Sequence, residues 1–196
     1  MENHFSYAVA IIKPDAHRDV LAEMITRDFE EGGLSVVFRK DIVLSQTQAG
    51  EVYIKEPDQS KFHRAAKSLL GTDRDKFSTL VILKAKNGGE GVSIARDIKG
   101  KIGRGGIRDK YNLHTKDELE KMGLTGEELG SELSRNRLHV PDTDKEMLEI
   151  IDMFLIENER MELKDREPEL YSELMRFNEN REIKNEFLEK KNWRPK

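Results

Sequence analysis

Apolar positions follow two periods along this chain. YAVAIIK, Tyr7 to Lys13, is apolar on successive positions rather than alternate ones, which predicts a central strand buried on both faces. It stops at KPDAHRD, where Pro14 cannot continue a ladder. In VLAEMITRDFEE, Leu21, Met24, Ile25 and Phe29 then recur at helical spacing; Asp19 is the expected N-cap and Gly32-Gly33 the expected stop. LSVVFRKDIVL predicts a second strand, SQTQAGEVYIKE a short helix opened by Ser45, FSTLVILKAK a third strand and GGEGVSIARDIKG another short helix. This βαβ pattern with a further strand and helix predicts an α+β sandwich with helices on one face of a small sheet, and a ferredoxin-like arrangement is the natural candidate.

The pattern then loosens. KGKIGRGGIRDKY predicts a loop whose flexible backbone lets Lys99, Lys101, Arg104 and Arg108 converge on an anion. It does not fit G-x-x-x-x-G-K-[ST], and no strand leads straight into it, so a P-loop is excluded; alone, such a loop is as often a solvated turn. Thr115 to Glu118 and Thr125 to Glu128 have the form of capping boxes, which predicts two short helices in an insertion over about 113–133. From Asp142, PDTDKEMLEIIDMFLIENERMELKDRE predicts one amphipathic helix. Pro168 stands where the first turn of a second would begin, with Leu170, Leu174, Phe177, Ile183 and Phe187 as its stripe. The expected organisation is a domain over 1–154 and a charged helical extension over 155–196. The extension is expected to pack on its own core or a sister subunit, with partner binding as the alternative.

Composition narrows the chemistry. With 36% hydrophobic and 37% charged residues, the 196-residue chain fits one globular domain plus solvated helix. No apolar run approaches the ~20 residues of a membrane span, and MENHFSYAVA lacks the basic start and long apolar core of a signal peptide, so a cytoplasmic location is expected. The absence of cysteine excludes disulfides, thiolate metal sites and cysteine nucleophiles. A formal net charge of −4 argues against nucleic-acid binding, whose affinity rests on positive surface, and makes local cationic clusters more informative. Of the histidines, His139 lies in the basic stretch SRNRLHVPDTDKE; alone it reads as structural. His4, His17, His63 and His114 lack that company, and their spacing supports no metal site.

Taken together and in order, AIIKPDA, GGIRDKY and SRNRLHVPDTDKE resemble the nucleoside diphosphate kinase family, in which a strand ends in IKPD, a GTIRGDF-like loop follows, and a segment reads R-N-x-x-H-x-S-D. The similarity covers residues 5 to about 154, apart from the insertion. It implies a ferredoxin-like sandwich with a four-stranded antiparallel sheet, and a ping-pong reaction through a phosphohistidine. In that reaction a histidine takes the terminal phosphate of ATP or another nucleoside triphosphate and passes it to a nucleoside diphosphate. Magnesium accompanies the nucleotide, with no protein metal ligands, and a homo-oligomer is expected.

By the same resemblance His139 is the phosphorylated residue. An imidazole with an unperturbed pKa of ~6.5 is largely neutral at pH 7 and can attack phosphorus without a strong base. Glu149 matches the glutamate that holds the ring, with Glu146 as substitute. Lys13 matches the lysine that contacts the transferring phosphate and the sugar hydroxyl, and Tyr53 a tyrosine near the histidine. Arg96 and Arg108 match phosphate-holding arginines, and Asn136 a ribose-contacting asparagine. Phe62 is the nearest aromatic for stacking the base, although strict register puts Lys61 there. The chain departs from the family at Ile102, where a phosphate-holding threonine is usual, and at Val140-Pro141, where glycine and serine follow the histidine; Arg104 or Thr143 are the candidate compensations. These changes leave a second expectation open, a catalytically weakened nucleotide-binding scaffold or interaction module.

Overall fold

The computed structural model describes residues 5–71, 76–101, 105–112 and 114–190, the last nine by backbone alone. In chain order the elements are β1 (Tyr7–Ile12), α1 (Pro14–Arg18), α2 (Ala22–Glu31), β2 (Leu34–Val43), α3 (Gln46–Val52), α4 (Gln59–Leu70), β3 (Phe77–Ala85), α5 (Gly91–Lys99), α6 (Ile107–Lys110), α7 (Lys116–Lys121), α8 (Gly126–Ser134), β4 (Leu138–His139), α9 (Asp144–Phe154), α10 (Glu157–Arg166) and α11 (Pro168–Lys190). Two compact units divide the chain, Met1–Met147 and Leu148–Lys196, with the boundary inside α9. No helix among the described residues is long and apolar enough to cross a membrane.

The first unit is built on one antiparallel sheet in the order β2-β3-β1-β4, which is the ferredoxin-like order that the alternation of elements predicts. Its central strand is β1, whose six residues are all fully buried, as expected of an unalternating apolar run. Helices α2 and α5 lie side by side on the sheet, so close that a Cβ on Gly32 would fall 2.4 Å from Ile98 Cδ1. The shortest strand matters most for function. In β4, Leu138 and His139 pair with Ile12 and Ile11, which sets His139 next to the strand end from which Lys13 emerges.

Local chemistry explains most boundaries. Ser45 caps α3 and Thr115 caps α7, each accepting a hydrogen bond from the backbone N–H three residues on, with Gln48 and Glu118 reaching back. Thr125 precedes α8 without such a side-chain bond. Asp19 is not the N-cap expected of it. Leu21 occupies that place, and the Asp19 carboxylate is drawn instead to the guanidinium of Arg137.

The single helix expected from Asp142 to Glu167 is two. Ile156 adopts an extended conformation between α9 and α10, and its freed N–H donates to Glu159 Oε2 at 2.9 Å. In the second unit Pro168 begins α11 as anticipated, and Leu163, Leu170 and Leu174 are buried where α10 and α11 pack together. Phe177 is half-buried, while the Ile183 and Phe187 side chains lie outside the described residues.

Candidate active site

Lys13 follows the central strand and is 1% exposed, so its ammonium must find its partners inside the protein. Its Nζ donates to Ser68 Oγ at 2.9 Å, to Asn136 Oδ1 at 2.9 Å and to the Ser134 carbonyl at 3.2 Å. All three acceptors are neutral. Burial, reinforced by the positive charges of Arg108 and Lys99 and opposed only by Asp15, therefore lowers its pKa to about 7. Here lies a cation poised to lose its proton unless an anion arrives.

His139 is half-buried at the edge of the sheet. Its ring meets Tyr53 edge-on, with centroids 4.8 Å apart and planes at 76°, and Lys13 Nζ lies 5.9 Å from the Tyr53 centroid. Burial, then the charges of Lys13, Lys99 and Arg108, push the imidazole pKa well below its usual value. The ring is consequently neutral across the physiological range, with its lone pair available. Burial likewise raises the Tyr53 hydroxyl pKa, so Tyr53 stays protonated.

The other cations surround the same point. Arg108 stands on α6, and its Nε is buried without an acceptor; its Nη2 reaches only a long 3.5 Å contact with the Leu138 carbonyl. Burial lowers its pKa too. The turn that presents it depends on two glycines: Gly100 and Gly106 both have positive φ, and a Cβ on Gly106 would fall 2.7 Å from Gly100 Cα. Lys99, the last residue of α5, donates from Nζ to the Val140 carbonyl at 3.2 Å. Burial and then Arg108 bring its pKa down to about 8. Arg96 stands further out, half-exposed, with Nε 3.1 Å from Asp142 Oδ1.

Lys13, Tyr53, Asn136, His139 and Arg108 are thus brought together, with Arg96 at the margin. Phe62 lies on α4 with its ring edge-on to His63 and its Cζ facing Gly50 of α3, whereas Lys61 is exposed. Glu146 is committed elsewhere: one oxygen accepts from Lys55 Nζ at 2.9 Å, the other from the Asp142 N–H at 2.9 Å. Glu149 belongs to the second compact unit. Val140 and Pro141 are buried, Thr143 Oγ1 accepts from the Glu146 N–H at 3.2 Å, and Ile102 and Arg104 lie outside the described residues.

Two residues have places in the site that the sequence did not single out. Lys99 reads as one of four loop cations; only its place at the end of α5 aims it at the residue after His139. Arg137 reads as a spacer, yet it is 2% exposed and adopts φ +67°, a conformation rare for a side chain of its size. Its Nε donates to the Tyr111 carbonyl at 3.0 Å and its Nη1 to the Asp15 carbonyl at 3.0 Å and to Asp19. Its own carbonyl accepts from the Lys13 N–H at 2.8 Å. Arg137 therefore clamps the turn between Asn136 and His139 to the start of α1.

Against known proteins, the model of the family described as nucleoside diphosphate kinase matches residues 6–160. A nucleoside diphosphate kinase of Gluconacetobacter diazotrophicus is 29% identical over 124 residues, which span 57% of this chain and 84% of that protein. Among solved structures, the nucleoside diphosphate kinase of Borrelia burgdorferi, a transition-state mimic with bound vanadate and ADP, shares 16% identity over 78% of this chain and 88% of its own, with a TM-score of 0.58. The apo enzyme of Encephalitozoon cuniculi shares 19% identity over 77% of this chain and 89% of its own, with a TM-score of 0.57.

Proposed function

We propose that this chain, which belongs to the nucleoside diphosphate kinase family, transfers the terminal phosphate of a nucleoside triphosphate to a nucleoside diphosphate through phosphorylated His139. The observation that carries this reading is the neutral imidazole of His139 beside Lys13, Lys99 and Arg108, three cations whose neighbours leave them short of negative charge. Phosphoryl transfer depends on positioning and on neutralising phosphate oxygens, and such a group of cations does both.

In the first half-reaction a ring nitrogen of His139 forms an N–P bond as the bridging P–O bond of the triphosphate breaks, and the diphosphate leaves with that electron pair. A second diphosphate then reverses these events. Lys13 and Arg108 hold the transferring phosphate, Arg96 reaches the outer phosphates, Asn136 and Lys13 meet the ribose, and Phe62 flanks the base. The edge of Tyr53 fixes the ring plane of His139. Both oxygens of Glu146 are already bonded, so Glu146 is not the substitute for the glutamate that holds the other ring nitrogen in the family.

Magnesium carried on the nucleotide phosphates would offset their charge, and Lys13, Lys99 and Arg108 would face the same phosphates from the protein side. Arg108 Nε, which has no acceptor of its own, is the protein group proposed to meet a phosphate oxygen.

Assembly into a homo-oligomer belongs to the same reading. Val43 and Phe77 face each other at the end of the β2–β3 ladder and are 56% and 58% exposed, an apolar pair beside an open sheet edge. Protein incubated with terminally labelled ATP and magnesium is expected to acquire acid-labile phosphate that chases to any added diphosphate, and His139→Ala to acquire none. Wild-type protein that stays unlabelled overturns the proposal.

A further inference from the structure

The ammonium of Lys13 has three protons, and the protein takes all of them. Ser68 Oγ on α4 and Asn136 Oδ1 each accept one at 2.9 Å, and the carbonyl of Ser134, the last residue of α8, accepts the third at 3.2 Å. Only 1% of Lys13 is exposed, so it has neither a spare proton nor an open face for a phosphate oxygen. One of these acceptors must give way before the lysine can meet the transferring phosphate.

Two of the three are anchored. Ser68 Oγ is held by its own bond to the Ala65 carbonyl, at 2.7 Å. Asn136 precedes the turn that the buried guanidinium of Arg137 ties to Tyr111, Asp15 and Asp19. Ser134 is the loose one: its bond is the longest, and none of the 9 residues of α8 is fully buried. Thr125 gives α8 no side-chain cap, and Gly123 and Gly126, before and at its start, both stand at positive φ. Short segments of this kind absorb the motion when one helix shifts on another. The insertion therefore ends on the lysine through its most movable part.

We propose that α8 is a latch on the active site: the end of the insertion withholds Lys13, and a triphosphate claims the proton that Ser134 holds, releasing α8 from α4. The inference rests on Lys13 as a phosphate contact. A charged phosphate oxygen is a stronger acceptor than a neutral carbonyl, which gives the exchange its direction. Around Lys13 stand Asp15 of α1, Lys99 of α5, Arg108 of α6 and His139 of β4, with the Tyr53 ring centroid 5.9 Å from Nζ, while α4 and α8 face it with neutral acceptors. Among these only Asp15 is negative. A lysine opened to water by the loss of α8 therefore regains its charged form, and its pKa rises from about 7.

Hydrogen exchange read by mass spectrometry tests the latch in His139→Ala with ATP and magnesium, where no phosphate is transferred. Segments around the site, α3 and α6 among them, are expected to slow, and α8 to exchange about threefold or more faster, the opposite of ordinary ligand protection. A kinetic arm uses Ser131→Pro, which breaks α8 in its interior. Its kcat/KM for His139 labelling at pH 7 is expected to rise about fivefold. The fall of kcat/KM with pH is expected to begin near 8, where Lys99 titrates, instead of near 7. An α8 that is unchanged or slowed while the site is protected, or a proline variant with lower kcat/KM and a fall still near pH 7, overturns the latch. ATP that alters no segment overturns it together with the phosphate contacts of Lys13. The exchange arm leaves α8 intact, so it decides where the proline variant folds poorly. Failure of wild-type His139 to take up label leaves the exchange result standing, so the two readings fall separately.

Discussion

Lys99 Nζ rests on the carbonyl of Val140, one residue past the proposed nucleophile, so a cation stands beside Val140-Pro141, where the glycine and serine of the family pattern would have offered a hydroxyl. Val140-Pro141 can offer none. A lysine that supplies charge in their place makes its removal costly: Lys99→Met is expected to slow His139 labelling on the order of 10²-fold, the usual effect of deleting one preorganised donor, in a rapid-quench measurement. The pH profile carries a second signature. His139 is held neutral well below its usual pKa, so its protonation does not limit the rate near neutrality. The cations do limit it, because Lys13 and Lys99 in the free enzyme have pKa values of about 7 and about 8. Since kcat/KM reports the free enzyme, it is expected to fall as pH rises through that window, and Lys99→Met to simplify the fall to that of Lys13 alone.

Among the elements, the two-residue β4 and the turn before it decide the geometry of the site. The turn is held by a buried guanidinium that answers Asp19 and two carbonyls, and cutting it away removes all three bonds, leaving Asp19 only its more exposed pairing with Arg18. Arg137→Ala is expected to destabilise the protein by about 3 kcal/mol in urea denaturation, far more than the loss of an exposed ion pair. On the loop before α6, Gly106→Ala places a Cβ against the Gly100 backbone at φ +87°. It is expected to cost about 1–3 kcal/mol and to weaken triphosphate binding by displacing Arg108, both readable in one thermal-shift titration.

How far these elements could be read beforehand follows from the kind of signal each carries. β1 was legible because a strand buried on both faces is an uninterrupted apolar run, and Ser45 and Thr115 because a capping box is a local bond between residues three apart. Asp19 was misread because the competitor for its carboxylate, Arg137, is 118 residues away. The break at Ile156 escaped notice because neither glycine nor proline marks it. The cluster of Lys13, Asn136, His139 and Arg108 was legible through a family resemblance; Lys99 was legible only as one of four loop cations, since its place beside Val140 depends on where α5 stops.

At the scale of the molecule, a net charge of −4 should repel nucleotides, so attraction must come from a local concentration of cations, maintained at a cost in stability. The sign of that cost is fixed by proton linkage. In the ligand-free fold Lys13 and Lys99 release protons at about pH 7 and 8, whereas the unfolded chain keeps them to about 10.4. Between those limits the unfolded state binds more protons, so stability rises with pH from about 7 toward 10. Above 10 the raised pKa of Tyr53 works the other way, because the folded state then holds the extra proton. Bound phosphate reverses the arrangement at the two lysines by favouring their charged forms. Triphosphate binding at pH 8 is therefore expected to take up protons, seen as a dependence of the calorimetric enthalpy on the ionisation heat of the buffer. Lys13→Met should remove most of that dependence and flatten the rise of the urea midpoint between pH 7 and 10; an unchanged slope in that variant would place the titrating groups elsewhere in the chain.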